Sequence, residues 1–244
     1  MRYYIGTSGW HYDHWRERFY PKGLAKSRWL EFYSKHFSTV ELNNSFYRTP
    51  SEKAFTNWKD SSPPEFVFSV KVSRFITHIK RLRGITEPVT NFMSRARLLE
   101  GKLGPLLYQL PPSLINDYRA LEEFLEILPK DARHVIEFRH NSWFDDGIFN
   151  LLRRYNAGFC IYDMPDFHTP LVATSDFVYI RFHGSQLLYG GCYSDAELED
   201  WAKKITGLRA GEVYAYFNND LEGFAVKNAL TFRHFIEVLL ATIR

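Results

Sequence analysis

The chain is predicted to fold as an α/β protein, a single (β/α)8 TIM-type barrel over residues 1–244, and three observations predict it. Eight short apolar stretches with strand character recur along the sequence, and nearly all are followed by apolar residues at helical spacing. A length of 244 residues suits one domain of this kind, and 45% hydrophobic residues suffice to bury a large core. No glycine-rich phosphate turn follows the first strand, which argues against an open doubly wound sheet.

The first strand is Tyr3 to Ser8. Trp29, Leu30, Tyr33 and Phe37 then mark a helix over Ser27 to Phe37. Thr39 to Asn43 is the second strand, followed by a helix near Ser51 to Asp60 that Ser51 caps and Pro63-Pro64 ends. Phe66 to Val72 is the third, and the long connection after it holds a helix from about Pro88 to Leu99. Leu106 to Leu110, stopped by Pro111-Pro112, is the fourth, with Asn116 to Leu128 as its helix. The fifth begins at His134, and its helix covers about Trp143 to Asn156. Gly158 to Asp163, Phe177 to His183 and Val213 to Asn218 complete the set, with helices at Asp195 to Ile205, which Ser194 can cap, and at Phe224 to Leu240. Only thirteen residues, Met164 to Asp176, separate the sixth and seventh strands. They include Pro165 and Pro170, so the helix there is expected to be shortened or missing.

The fifth strand carries the strongest functional signal. In HVIEFRHNSW, Ile136 and Phe138 share one face, leaving Glu137 and Arg139 with Val135 on the other. Burying such ions costs several kcal/mol each, on the order of the penalty for any desolvated charge, unless they are paired or used. Assigning the more apolar parity of every strand to the helix-facing side leaves a polar inner set. Ser8, Asn43, Lys71, Gln109, Arg139, His183 and Asn218 then fall at strand C-terminal ends, where barrels of this kind carry their active sites. Glu41, Glu137 and Arg181 fall one layer below, and the parity of Asp163 is ambiguous. A buried structural salt-bridge network is the alternative to a ligand site.

Net charge is +3, too mild to imply nucleic acid by itself. The connection after the third strand is nonetheless basic, with Lys71, Arg74, His78, Lys80, Arg81 and Arg83 and no acid before Glu87. It reads either as a solvated charge run or as a device steering an anion toward Lys71. Trp10, Tyr12, Trp15, Phe46, Tyr47 and Trp143 follow strands one, two and five; they suit a hydrophobic cluster beneath the loops, or stacking on a sugar or base. Gly190-Gly191 marks a turn or a mobile lid. Cys160 and Cys192 form neither a metal spacing nor a disulfide framework, the opening MRYYIGTSGW lacks the long apolar core expected of a signal peptide, and no 18-residue apolar run occurs. A cytoplasmic protein with no membrane partner is expected, with no cofactor and no metal. Oligomeric state is not legible.

The segments GTSGW (6–10), FYP (19–21), VELNNSFYRTP (40–50), QLPP (109–112), IEFRHNSWF (136–144), RFHG (181–184) and YFNND (216–220) resemble the motifs of the YecE-like family, domain of unknown function 72. The resemblance runs nearly end to end and implies a TIM-barrel fold with a shortened sixth unit. It implies no catalytic residue, because the family's biochemical function is not established. Asn43, Asn44 and Ser45 depart from the isoleucine-asparagine-threonine pattern more usual there.

Three classes of function are compatible with these residues. The foremost is a metal-independent enzyme, a lyase, isomerase or hydrolase, on a small anionic substrate such as a phosphate ester or sugar acid. Glu137, His183 and Glu41 would supply catalysis, while Ser8, Trp10, Asn43, Tyr47, Lys71, Gln109, Arg139, Arg181, Asn218 and Asn219 would bind. A glycoside hydrolase using Glu41 and Glu137 as its carboxylate pair is second. A nucleic-acid-binding protein or nuclease using the basic loop is third and is not favoured.

Overall fold

The structure is a computed structural model that describes residues 1–165 and 167–242. Its strands are β1 (Arg2–Thr7), β2 (Thr39–Leu42), β3 (Val67–Lys71), β4 (Leu103–Gln109), β5 (His134–Glu137), β6 (Gly158–Met164), β7 (Phe167–His168), β8 (Phe177–Phe182) and β9 (Glu212–Phe217). Its α-helices are α1 (Trp29–Tyr33), α2 (Asn44–Tyr47), α3 (Glu52–Asp60), α4 (Thr86–Ala96), α5 (Tyr118–Glu126), α6 (Asp146–Arg154), α7 (Asp195–Thr206) and α8 (Phe224–Thr242). The eight expected strands are all present, each within a few residues of its expected bounds. The ninth, β7, is two residues long and pairs antiparallel with the end of β6, Asp163 facing His168. Among the described residues no helix lies between Met164 and Phe177, in keeping with the two prolines there.

The described residues group into two compact units: Met1–Val40, Ile161–Ala173 and Phe177–Arg244 in the first, Glu41–Cys160 and Thr174–Asp176 in the second. In the first, β1 pairs parallel with β9 and β9 with β8, so that Gly6 and Arg181 both sit beside Tyr216. Gly6 is required by a close approach: a Cβ there would overlap the carbonyl oxygen of Thr39 and lie 3.0 Å from the Tyr33 hydroxyl. The core of this unit is largely aromatic, with Phe182 stacked on Phe217 at 4.4 Å and Tyr20 on Trp29 at 4.5 Å. The first helix is shorter than its apolar spacing suggests, since α1 is only five residues preceded by a 3-10 turn at Lys26–Arg28. At its end the buried Tyr33 hydroxyl bonds the Thr7 N–H and the Thr39 carbonyl, which tie the chain to β1 and to the start of β2. Ser194 caps α7 in a reciprocal capping box with Glu197, as its position predicts.

In the second unit β3, β4, β5 and the start of β6 pair parallel in sequence order. Lys71 sits beside Leu107, Gln109 beside Glu137, and Ile136 beside Phe159. Directly paired residues project from the same face of a sheet, so the register alone brings Gln109 and Glu137 together. Ser51, Asp117 and Asp145 cap α3, α5 and α6 with their side chains, satisfying N–H groups that a helix start leaves open. The basic connection after β3 is not an open loop, for Phe75–Ile79 winds as a π-helix. No described helix is long and apolar enough to cross a membrane.

Candidate functional site

The second unit holds a chain of polar contacts that starts at the end of β3 and crosses two strands. The Lys71 ammonium donates to Gln109 Oε1 at 2.9 Å, and Gln109 Nε2 donates to Glu137 Oε1 at 2.7 Å. The Arg139 guanidinium pairs with the same carboxylate oxygen through its Nε. On the other oxygen, Oε2, the buried Cys160 thiol sits at 3.9 Å, at the outer edge of a sulfur hydrogen bond. Glu137 is wholly buried and the Arg139 side chain 10% exposed, so the pair is shielded from water and its charges interact strongly. A Gln is well chosen between cation and anion, since its carbonyl accepts from Lys71 while its amide donates to Glu137.

The Lys71 ammonium also lies over the Phe46 ring, 4.1 Å from its centre, and the His78 imidazole meets the same ring edge-on at 5.0 Å. Ser45 holds the strand end in place by donating to the Lys71 carbonyl at 2.6 Å. His78 is pushed down to about 4, first by burial, then by Lys71 and Arg74, with Glu137 opposing and Arg139 adding to the depression. It is therefore neutral at pH 7, and its environment is net positive. Not every basic residue of this segment contributes. Arg81 bonds Ser113, and Arg83 pairs with Asp117 at 2.5 Å, so both fasten the segment to the chain after β4.

Glu41, also in this unit, is wholly buried within β2. Asn43 precedes α2, and its Oδ1 is buried with no hydrogen-bond partner among the described residues. Tyr47 is 74% exposed.

The first unit holds the remaining expected residues, in a different style of environment. Ser8 and Trp10 are buried; the Ser8 N–H donates to Phe217 at 2.9 Å, and the Trp10 carbonyl accepts from the Tyr20 hydroxyl. Arg181 is buried within β8. The Asn218 amide sits 3.1 Å from His183 Nδ1, and donating to it would leave the ring proton on Nε2. Tyr162 and Tyr189 meet the His183 ring edge-on at 5.9 and 5.4 Å. Asn219 is wholly buried and donates to the Gly191 carbonyl and to Asn228 at 2.9 and 2.8 Å. Asp163, ambiguous by parity, accepts from the Tyr193 hydroxyl at 2.8 Å, and that hydroxyl in turn accepts from the Gly184 N–H.

Residues outside the expected site set, Cys160 and Phe46 among them, also take part in these contacts. Cys160 carries no sequence signal, because buried cysteines are ordinary core residues, and Phe46 stands out only as one of the aromatics that follow the strands. Asp220 and His14 also escape notice: they bond each other across a sequence separation of 206 residues. Only the strand assignment, which sets both just beyond strands that turn out to be neighbours, could have drawn attention to them.

A family model described as "Protein of unknown function DUF72" matches residues 4–241, and the chain belongs to that family. It is 27% identical to the protein YunF of Bacillus subtilis over 92% of this chain and 91% of YunF. It is 30% identical to YecE of Escherichia coli K12 over 59% of this chain, and the matched stretch spans about half of YecE, 51% of its length. Among solved structures, a DUF72 family protein of Thermotoga maritima is 32% identical with a TM-score of 0.88, over 97% of this chain and 100% of the other. A truncated 3-deoxy-D-arabino-heptulosonate 7-phosphate synthase of the same organism is similar in fold alone, with 8% identity and a TM-score of 0.52 over 99% of this chain and 88% of the other. The fold is thus α/β, a TIM-type barrel with no helix among the described residues between the sixth and seventh expected strands, where a shortened or missing one is expected.

Proposed function

We propose that the protein is an enzyme acting on a small anionic substrate, a phosphate ester or sugar acid, which Lys71 and Arg139 hold beside Glu137. The observation that carries this reading is the contact chain at the strand ends, in which the Lys71 ammonium and the Arg139 guanidinium flank Gln109 and the single carboxylate of Glu137. Two cations against one carboxylate, in a partly dehydrated setting, attract an anion more strongly than the same charges would in water. Glu137 accepts hydrogen bonds from Gln109 and Arg139, which favour its charged form. An anion that engages Arg139 weakens that hold and makes Glu137 a better base at the moment substrate is bound. Neutral His78 can donate or accept a hydrogen bond beside the same cations without adding charge. The reading invokes no metal, because divalent cations select sites rich in carboxylates and imidazoles rather than ammonium and guanidinium groups.

The test is a thermal-shift series of phosphorylated sugars, sugar acids and their uncharged parents. The expected result is stabilisation by the anionic members, lost in Lys71→Ala. Stabilisation by neutral oligosaccharides alone, unaffected by that substitution, would sink the reading.

A further inference from the structure

The anion site leaves unused a second titratable group, in the first unit. Asp220 follows β9 by three residues, and His14 lies in the 3-10 turn Asp13–Trp15 that follows β1. Since β1 and β9 are parallel neighbours, both residues extend beyond the C-terminal ends of adjacent strands, the end that carries chemistry in folds of this type. The chain is held sharply at this point, with Glu222 and Gly223 at φ 61° and 81° and the Arg18 guanidinium bonded to the Glu222 carbonyl at 2.6 Å.

The contacts define the state of the histidine. His14 Nε2 lies 2.9 Å from Asp220 Oδ2 and 2.8 Å from the Asp220 backbone oxygen. A carbonyl can only accept, and so can an ionised carboxylate, so Nε2 carries the proton and, in the neutral ring, Nδ1 carries the lone pair. Nδ1 has no hydrogen-bond partner among the described residues, and the His14 side chain is 43% exposed against 13% for Asp220. The carboxylate is itself oriented, because Oδ1 accepts from the indole N–H of Trp15, a fully buried residue, at 2.8 Å. The arrangement is a largely buried acid, fixed by a third group, fixing the tautomer of a part-exposed histidine whose other nitrogen has no partner among the described residues.

We propose that His14 and Asp220 form a proton-transfer dyad in which His14 Nδ1 takes a proton from a hydroxyl or water of a bound polar substrate. In the step, the O–H bond breaks, its electron pair stays on oxygen, and the proton becomes the Nδ1–H of an imidazolium that the Asp220 carboxylate stabilises. The proposal stands independently of the anion site, since it uses none of the same residues. A purely structural tether between two loops would need neither an unpartnered ring nitrogen nor a third residue orienting the acid.

The substitution Asp220→Asn separates the two accounts. The Trp15 indole can only donate, so the new amide must turn its oxygen to Trp15 and its NH2 to His14 Nε2. That NH2 opposes a proton on Nε2, while the Asp220 backbone carbonyl still accepts one there, so the Nε2–H tautomer loses its clear preference and the Nδ1 lone pair is less populated. The probe is diethylpyrocarbonate, which acylates an imidazole nitrogen bearing a lone pair, with sites mapped by mass spectrometry of the intact folded protein. We expect His14 to react readily in the wild type and about 10-fold or more slowly in Asp220→Asn, the direction seen when the acid of a catalytic dyad becomes an amide. Nitrogen-15 NMR of the wild-type histidines gives a second reading that needs no variant, with neutral His14 expected as the Nε2–H tautomer. An inert His14 in the folded wild type, equal rates in the two proteins, or an Nδ1–H tautomer would each overturn the proposal.

Discussion

Glu137 and Asp220 are both sheltered carboxylates near the ends of strands, yet their surroundings are opposite. Glu137 is met by a guanidinium and an amide, with Lys71 one step further along the same chain of contacts. Asp220 is met by an indole and an imidazole among aromatic rings, and burial pushes its carboxyl up to about 6, with Trp15 and His14 only partly offsetting the rise. The contrast teaches that partner charge, more than depth, decides what a buried acid can do. Among cations it suits the proposed anion site, and beside neutral rings its carboxyl is raised toward neutral pH.

The largest expected effect comes from breaking the charged pair. Arg139→Ala leaves Glu137 buried without its guanidinium, and such losses typically cost about 3–5 kcal/mol. Urea unfolding should read that loss, and a cost near zero would mean that Glu137 is compensated by other groups. Next is the pH dependence set by Asp220. Its folded value is raised above the ordinary 3.8 to about 6. Its contribution is therefore fully present below the unfolded value and lost as pH rises through about 6. Wild type should lose stability relative to Asp220→Asn between pH 4 and pH 7 by about 2–3 kcal/mol at most, since a tenfold change in proton affinity between folded and unfolded chain is worth roughly 1.4 kcal/mol. Parallel stability curves for the two proteins would show that the acid is not perturbed.

A smaller effect tests an element away from both carboxylates. Ser194→Ala removes one half of the α7 capping box and should cost about 1 kcal/mol in thermal or urea unfolding. The smallest effect on the fold, though informative about the field, is the titration of His78. Its folded value lies below the unfolded one, so any stability it contributes is present above about 6.5 and is lost as pH falls through about 4. Proton NMR should find this ring neutral at pH 5.5, and adding Lys71→Ala should raise its titration point.

Much of the architecture was legible because period-two alternation and helix caps are local signals. Ser51 and Ser194 cap the helices they precede, and the prolines at 165 and 170 mark a connection without a described helix. Helix length was less legible: the apolar spacing through Phe37 gives no hint that Tyr33 ties the chain to Thr7 and Thr39. Of the candidate site, Lys71, Gln109, Glu137 and Arg139 fall into one network because strand parity fixes their face and parallel register aligns β4 with β5. The state of His78 could not be read as readily, because a histidine in a basic run looks cationic until its burial is known. His14 with Asp220 was hidden for a related reason: neither lies in a strand, so alternation says nothing about where it points.

The most direct test of the anion site is isothermal titration of the protein with inorganic phosphate, comparing wild type, Lys71→Ala and Lys80→Ala at one fixed ionic strength. Lys80 serves as the control because it belongs to the same basic segment but is exposed, with its ammonium over the Phe75 ring. Wild type and Lys80→Ala are expected to bind alike, and Lys71→Ala to bind about 10-fold or more weakly, as for the loss of a charge-assisted hydrogen bond worth roughly 1.5–3 kcal/mol. Equal weakening by both substitutions would mean that phosphate senses only the general charge of the segment, and no weakening by Lys71→Ala would contradict the account.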